Sequence, residues 1–161
     1  MPWLISDANI IIDMEVGNIL DHMFRLPETF AVPDILYIEE LAGQHSELPD
    51  LGLEVIRLRA EFVAEAYRLR ETYNKPGMND LFALALAKQE LCPLLTGDKD
   101  LRAAATDEEV VVNGTLWLVQ RLFDEDVLTI DVIEEAYTLM KGEGRRLPWN
   151  EVTKQIKRMK S

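Results

Sequence analysis

"CPLLTGDKDLRAAA", residues 92–105, decides how the rest of the chain is read. An apolar run closes on Thr96 and Gly97, Asp98 follows, and a helix-forming stretch begins at once. That is the pattern of a short buried strand, 92–96, turning directly into a helix over 98–105. A carboxylate at the tip of a buried strand is costly to desolvate, so it caps the helix, pairs with a charge or binds a cation.

Working outward, the same motif recurs. "PWLIS" (2–6) reads as a buried strand ending at Asp7, followed by a helix over 7–24 that Gly17 interrupts. "TFAV" (29–32) is a second strand, with Pro33 opening a helix over 33–43 that Gly43 closes. "SELPDLG" (46–52) reads as a loop, and the alternating "LEVIRL" (53–58) as an edge strand. Helices follow over 59–73 and 78–91; the second is apolar on nearly every side, as a central, covered helix is. Beyond residue 105 a strand is expected over 109–112, then helices over 113–125, 130–142 and 147–160. Strands alternating with helices predict an α/β fold, a three-layer α/β/α arrangement around a mainly parallel sheet with C-terminal helices added. The expected division is one α/β domain over 1–125 and a helical extension over 126–161 packed on or beside it.

With 48% apolar residues, 161 residues bury a substantial core. Seventeen Lys and Arg against twenty-nine Asp and Glu leave a net charge of −12, which excludes a generic nucleic-acid coat protein. The balance is uneven. Residues 141–161 hold seven basic and two acidic side chains, a net +5 on an otherwise acidic body. Cys92 is the sole cysteine, so no intrachain disulfide forms and a reducing, cytoplasmic location is expected. "MPWLISD" lacks the basic flank and apolar core of a secretory signal, and no run of about 18 apolar residues is present to span a membrane. Two histidines, His22 and His45, make a zinc site unconvincing.

In parallel sheets ligands bind beyond the carboxyl ends of the strands, and acids fall there. Asp7 follows the first strand, Asp98 follows the 92–96 strand, Asp80 opens the covered helix, and Glu39 and Glu40 lie late in the helix after the second strand. Each has a simpler explanation. Asp7 and Asp80 suit helix caps, Asp98 suits an Asx-turn, and Glu39 with Glu40 suit a solvated face. Taken jointly, Asp80 shares a stripe with Ala83, Leu84 and Ala87, and Glu39 one with Ile35 and Ala42. Carboxylates gathered on apolar stripes call for a hard divalent cation, Mg²⁺ or Mn²⁺.

"LISDANIIID" (4–13), "VPDILYIEEL" (32–41), "NDLFALALAK" (79–88) and "LLTGDKDLRAAA" (94–105) together resemble the PIN-domain ribonucleases, the class that includes the VapC toxins. The likeness covers about residues 3–125, and "VNGTLWLVQRLFDEDVLTIDVIEEAYTLMKGEGRRLPWNEV" (112–152) resembles the end of a less characterised PIN subgroup. The resemblance implies Asp7, Asp80 and Asp98 as metal ligands and catalytic acids, with Asp100 auxiliary and Asn9 and Thr96 as polar support. The second acid is Glu39 by spacing from Pro33 or Glu40 by its Glu–Leu dipeptide, with Glu39 preferred for its stripe. The implied reaction is metal-assisted hydrolysis of RNA phosphodiesters, leaving 5′-phosphate and 3′-hydroxyl ends without a protein nucleophile. A homodimer and an antitoxin partner are also implied.

Lys99 and Arg102 near the site, and Lys154, Lys157 and Arg158 in the tail, are candidate phosphate contacts, although a terminal basic run also suits a solvated helix end. Trp117 and Trp149 suit packing or base stacking. A receiver-type signalling module would need an acidic pair after the first strand, where Asp7 stands alone. A non-catalytic PIN scaffold binding RNA or protein is the other alternative.

Overall fold

The computed structural model describes residues 3–161, so Pro2 of the first expected strand lies outside the described residues. Five parallel strands form the sheet: β1 (Trp3–Ser6), β2 (Thr29–Pro33), β3 (Glu54–Ile56), β4 (Leu94–Leu95) and β5 (Val112–Asn113). Their order is β3-β2-β1-β4-β5, and every neighbouring pair runs parallel. The chain steps from β1 to β2 and β3 on one side, then crosses back to β4 and β5 on the other. The strand order therefore reverses at β1, which makes the carboxyl ends of β1 and β4 the switch point where such sheets bind ligands. Ser6 is in register with Leu95, so Asp7 and Thr96 emerge side by side.

Helices cover both faces in three layers: α1 (Ala8–Val16), α2 (Leu20–Met23), α3 (Asp34–Leu36), α4 (Leu48–Leu51), α5 (Ala60–Thr72), α6 (Met78–Glu90), α7 (Lys99–Asp107), α8 (Thr115–Asp124), α9 (Ile130–Gly142) and α10 (Trp149–Lys160). The covered helix is α6. Leu81 through Ala87 are all buried, and it packs on β1, β2 and β4 as well as α3, α5 and α7. β3 is the edge strand its alternation predicts.

Four local departures from the expected elements have physical causes. The 7–24 helix is broken, because after Gly17 the chain reverses through Asn18 at φ 60° before α2. Pro33 ends β2 with extended backbone instead of opening the helix, as its fixed φ permits in either role. The 46–52 loop contains the short α4. The last strand lies at 112–113, because α7 runs on to Asp107 and Glu109 turns at φ 62° before the chain re-enters the sheet.

One further departure bears on the site. Beyond Leu36 the helix widens to a π-helical turn, Tyr37–Leu41, closed by the Ala42 N–H donating to Tyr37 O at 2.7 Å. Leu36 and Leu41, five residues apart, are both fully buried, a spacing that an ordinary α-helix does not put on one face. The stripe expected to join Glu39 to Ile35 and Ala42 is therefore not a buried one: Glu39 and Glu40 are both exposed.

The C-terminal helices join the body. Ile133, Ala136, Tyr137 and Met140 of α9 are buried, and α9 packs on α1. It approaches closest at Gly17, where an added Cβ would fall 2.7 Å from Met140 Cε and 3.2 Å from Ala136 Cβ. Trp149 packs edge-on to Tyr137 at 6.3 Å, beneath the Lys141 ammonium, so its role is packing. Among the described residues no helix is long and apolar enough to cross a membrane.

Candidate metal centre

Each acid at the switch point begins as a helix cap. Asp7 Oδ1 accepts from the Ile10 N–H at 3.0 Å at the start of α1. Asp98 Oδ1 accepts from the Leu101 N–H at 2.8 Å at the start of α7. Asp80, in the first turn of α6, reaches back to the Gly77 N–H at 3.3 Å. The capping explanation is thus correct for all three, and it does not compete with the functional one. Each carboxylate keeps an oxygen beyond its cap, and three helix N-termini direct their positive ends at the same region.

Thr96 joins two of them. Its hydroxyl donates to Asp7 Oδ2 at 2.5 Å and accepts from the Asp98 N–H at 3.0 Å. Asp7 and Thr96 are both fully buried. Burial pushes the Asp7 carboxyl up to about 7; the bonds from Thr96 and Ile10 pull it down, and the charges of Asp80 and Asp13 push it further up. Burial also raises Asp80 to about 6, helped by the charges of Asp98 and Glu40. Asp7 therefore feels the charges of Asp80 and Asp13, and Asp80 those of Asp98, Glu40 and Arg70. Glu39 stands beside these acids too: its carboxylate accepts from the side-chain amide of Asn79, the residue before Asp80, at 3.1 Å.

The donor set fits a hard cation. It consists of carboxylate and hydroxyl oxygen, without sulfur or imidazole, as Mg²⁺ and Mn²⁺ prefer. Two of its carboxyls are held protonation-prone by burial and like charge, the electrostatic conflict that a divalent ion relieves. Among the described residues, the group whose ligand atoms all lie within 4.8 Å of one another is a different one, Glu15, His45 and Glu47. There the His45 Nδ1 lies 2.8 Å from a Glu15 carboxylate oxygen. By helical spacing Glu15 is on the far side of α1 from Asn9 and Asp13, and the group includes an imidazole, which Mg²⁺ disfavours.

Beside the acids runs a cleft of about 820 Å³ lined by Asn9, Asp13, Asp98, Asp100, Lys75 and Arg145, among others. Sequence reasoning left Asp13 and Arg145 without a role. Asp13, 6% exposed, accepts from Thr115 Oγ1 at 2.8 Å and from Arg145 Nε at 2.7 Å. Arg145 also reaches Asn9 Oδ1 at 3.2 Å. Asn9 and Asp13 stand one turn apart on α1, and that polar pair in an apolar helix was the available signal. Lys99 and Arg102 lie near the acids. Lys154, Lys157 and Arg158 line neither this cleft nor the one beside it, and Lys154 pairs with Glu151.

A family model described as "DUF3368: PIN domain" matches residues 3–161. The chain belongs to the PIN-domain family. The match runs through the C-terminal helices as well as the sheet. No curated protein matches this PIN-domain chain significantly. Among solved structures it is similar to a chain from the crystal structure of VapBC2 from Rickettsia felis bound to a DNA fragment from their promoter. The likeness spans 71% of this chain and 98% of that one, with 18% identity and a TM-score of 0.50, a similarity of fold.

Proposed function

We propose that this PIN-domain protein is a divalent-metal-dependent ribonuclease that cuts RNA internally. The observation that carries the reading is Asp7: a fully buried carboxylate at the switch point, acted on by two other acids, with no lysine or arginine among the groups that set its charge. A site of that kind is stable in its ionised form when a cation enters.

In this reading Asp7, Asp80, Asp98 and Glu40 hold Mg²⁺ or Mn²⁺, with Asp100 on the cleft wall as an auxiliary acid. Glu40 is preferred over Glu39 because its charge acts on Asp80, whereas Glu39 is bonded to Asn79. Bound divalent ions supply Lewis acidity and charge compensation at a phosphodiester. The chain's own part is positional. Thr96 fixes Asp7 in one rotamer and ties it to the start of α7, and the caps hold Asp80 and Asp98 against their helices. Asn9, one residue past Ala8, is bonded to Arg145 and so anchors the cleft wall.

A toxin role, with an antitoxin partner, a homodimer and a cytoplasmic location, is proposed on the likeness of the four acidic motifs to VapC toxins. The test of the central reading is cleavage of single-stranded RNA by the purified protein with Mn²⁺ or Mg²⁺, beside Asp98→Asn. Asparagine caps helices as well as aspartate does, so this variant stays folded. Cleavage by the wild type alone, with 5′-phosphate products, supports the reading. Equal cleavage by both overturns the site. No cleavage and no Mn²⁺ binding by calorimetry favours the scaffold.

A further inference from the structure

We infer that the substrate strand lies in a basic groove that the C-terminal helices build beside the acids, with Arg102 and Arg146 on its phosphates and Trp117 against a base. The RNA assignment rests on the ribonuclease reading; the groove itself rests on the following geometry.

The cleft beside Asp98 continues into a second one of about 530 Å³. The two share Gly97, Lys99 and Arg146, and the second adds Arg102 and Trp117. The outer wall is the link between α9 and α10, and the link is pinned. Arg145 is bound to Asp13 and Asn9, and Thr115 at the start of α8 holds the other oxygen of the same Asp13. One buried carboxylate therefore fixes the link and α8 together. With Arg145 so engaged, the next residue, Arg146, stands exposed on the rim.

The cations here are uncommitted. Lys75, Lys99, Arg102 and Arg146 make no ion pair among the described residues, although the chain carries twelve more acidic than basic side chains. Elsewhere Arg68, Lys88, Arg121 and Lys160 are paired with acids. Arg25, Arg57, Arg70, Lys141, Lys157 and Arg158 also lack an acidic partner among the described residues, so what marks the groove is that four free cations line one connected channel. The one acid lining the second cleft, Glu151, is itself paired with Lys154.

Arg102 is set in place rather than trailing in solvent. It donates to the Thr96 carbonyl at 3.1 Å and lies over Gly114, where any Cβ would come within 2.8 Å of its Nη2. That one bond leaves most of the guanidinium fork for a phosphate. Trp117 is half-buried on the same groove, an aromatic face next to a cationic track. Cations along a channel with an aromatic beside them suit a single strand, whose bases are free to stack.

The test measures binding apart from cleavage. Anisotropy of a labelled single-stranded 12-mer RNA is titrated in EDTA at several salt concentrations. The proteins are the wild type, Arg102→Gln/Arg146→Gln, Trp117→Phe, and Lys157→Gln/Arg158→Gln as a control on α10. Both groove arginines are exposed, so the double variant should melt as the wild type does. The double variant is expected to bind roughly tenfold or more weakly, and to lose about 1.4 from the log–log salt slope, two phosphate contacts on a single strand. The α10 control is expected to bind as the wild type. Wild-type affinity and slope in the double variant overturn the groove, as does loss confined to the α10 control. Binding of matching single-stranded DNA as tight as RNA overturns the RNA assignment. Groove-dependent binding without cleavage sinks the nuclease reading and leaves the groove standing; cleavage with unchanged KM in the groove variants does the reverse.

Discussion

Replacing Asp7 by asparagine should make the metal-free protein less sensitive to pH. The Asp7 carboxyl moves from an ordinary 3.8 to about 7 on folding. The folded state therefore binds this proton more tightly than the unfolded chain does. The protonated form adds no penalty below about pH 4. As pH rises toward 7, the folded protein must either keep the proton or ionise in a buried place, and stability falls. At about 1.4 kcal/mol per tenfold in the equilibrium, the full effect is a little over 4 kcal/mol by pH 8, of which about 1 kcal/mol is lost below pH 4.5. Asp80, raised to about 6, acts in the same direction over a slightly lower range. Acids held low elsewhere, such as Glu65 at about 2 through its Arg68 bond, change stability in the opposite sense, below about pH 4.5. The window from pH 4.5 to 8 therefore belongs to the site. Asparagine keeps an oxygen for the Ile10 N–H and has no charge to desolvate. Urea unfolding in EDTA across that window should show a steep loss for the wild type and a loss shallower by roughly 3 kcal/mol for Asp7→Asn. Excess Mn²⁺ should restore the wild type at pH 8 and leave the variant unmoved. Parallel pH curves for the two proteins would refute the argument that Asp7 is strained by burial.

Thr96→Val removes the only side-chain donor to Asp7 among the described residues; urea unfolding should show a loss of about 1–3 kcal/mol, and the decline with pH should run on to higher pH than in the wild type, because this bond holds the Asp7 carboxyl down. Arg145→Ala leaves Asp13 buried without its cation and should cost roughly 2 kcal/mol, discounted because the Arg145 side chain keeps 24% exposure; adding Asp13→Asn should recover much of it in a double-mutant cycle. Glu40→Gln should lower Mn²⁺ affinity by calorimetry at least tenfold and Glu39→Gln far less, because the Glu40 charge, with that of Asp98, raises Asp80 whereas the Glu39 carboxylate is bonded to Asn79. Equal losses from the two would return the second acid to an open choice.

The strand–acid–helix units were legible because they are local. Asp7 and Asp98 each follow an apolar run directly, and each side chain caps the helix that comes next. The seven consecutive buried residues of α6 announced themselves by composition. The π-helical turn did not, since period-3.6 reasoning assigns Glu39 and Glu40 to the wrong faces once a residue is inserted into the turn. The Arg145–Asp13 pair was beyond reach for a different reason: 132 residues separate its members, and only the packing of α9 at Gly17 brings them together. The basic tail was visible as a charge excess. Which of its residues face the acids was decided by the link between α9 and α10, a matter of geometry rather than count.

The helix caps carry one more consequence. Because Asp7, Asp80 and Asp98 are already tied to backbone amides, little rotamer entropy is left for an ion to remove on entry. Metal capture here should resemble closing a rigid claw more than ordering a floppy one, with an enthalpy that still carries the release of the Asp7 proton at pH 7 and sheds most of it by pH 8.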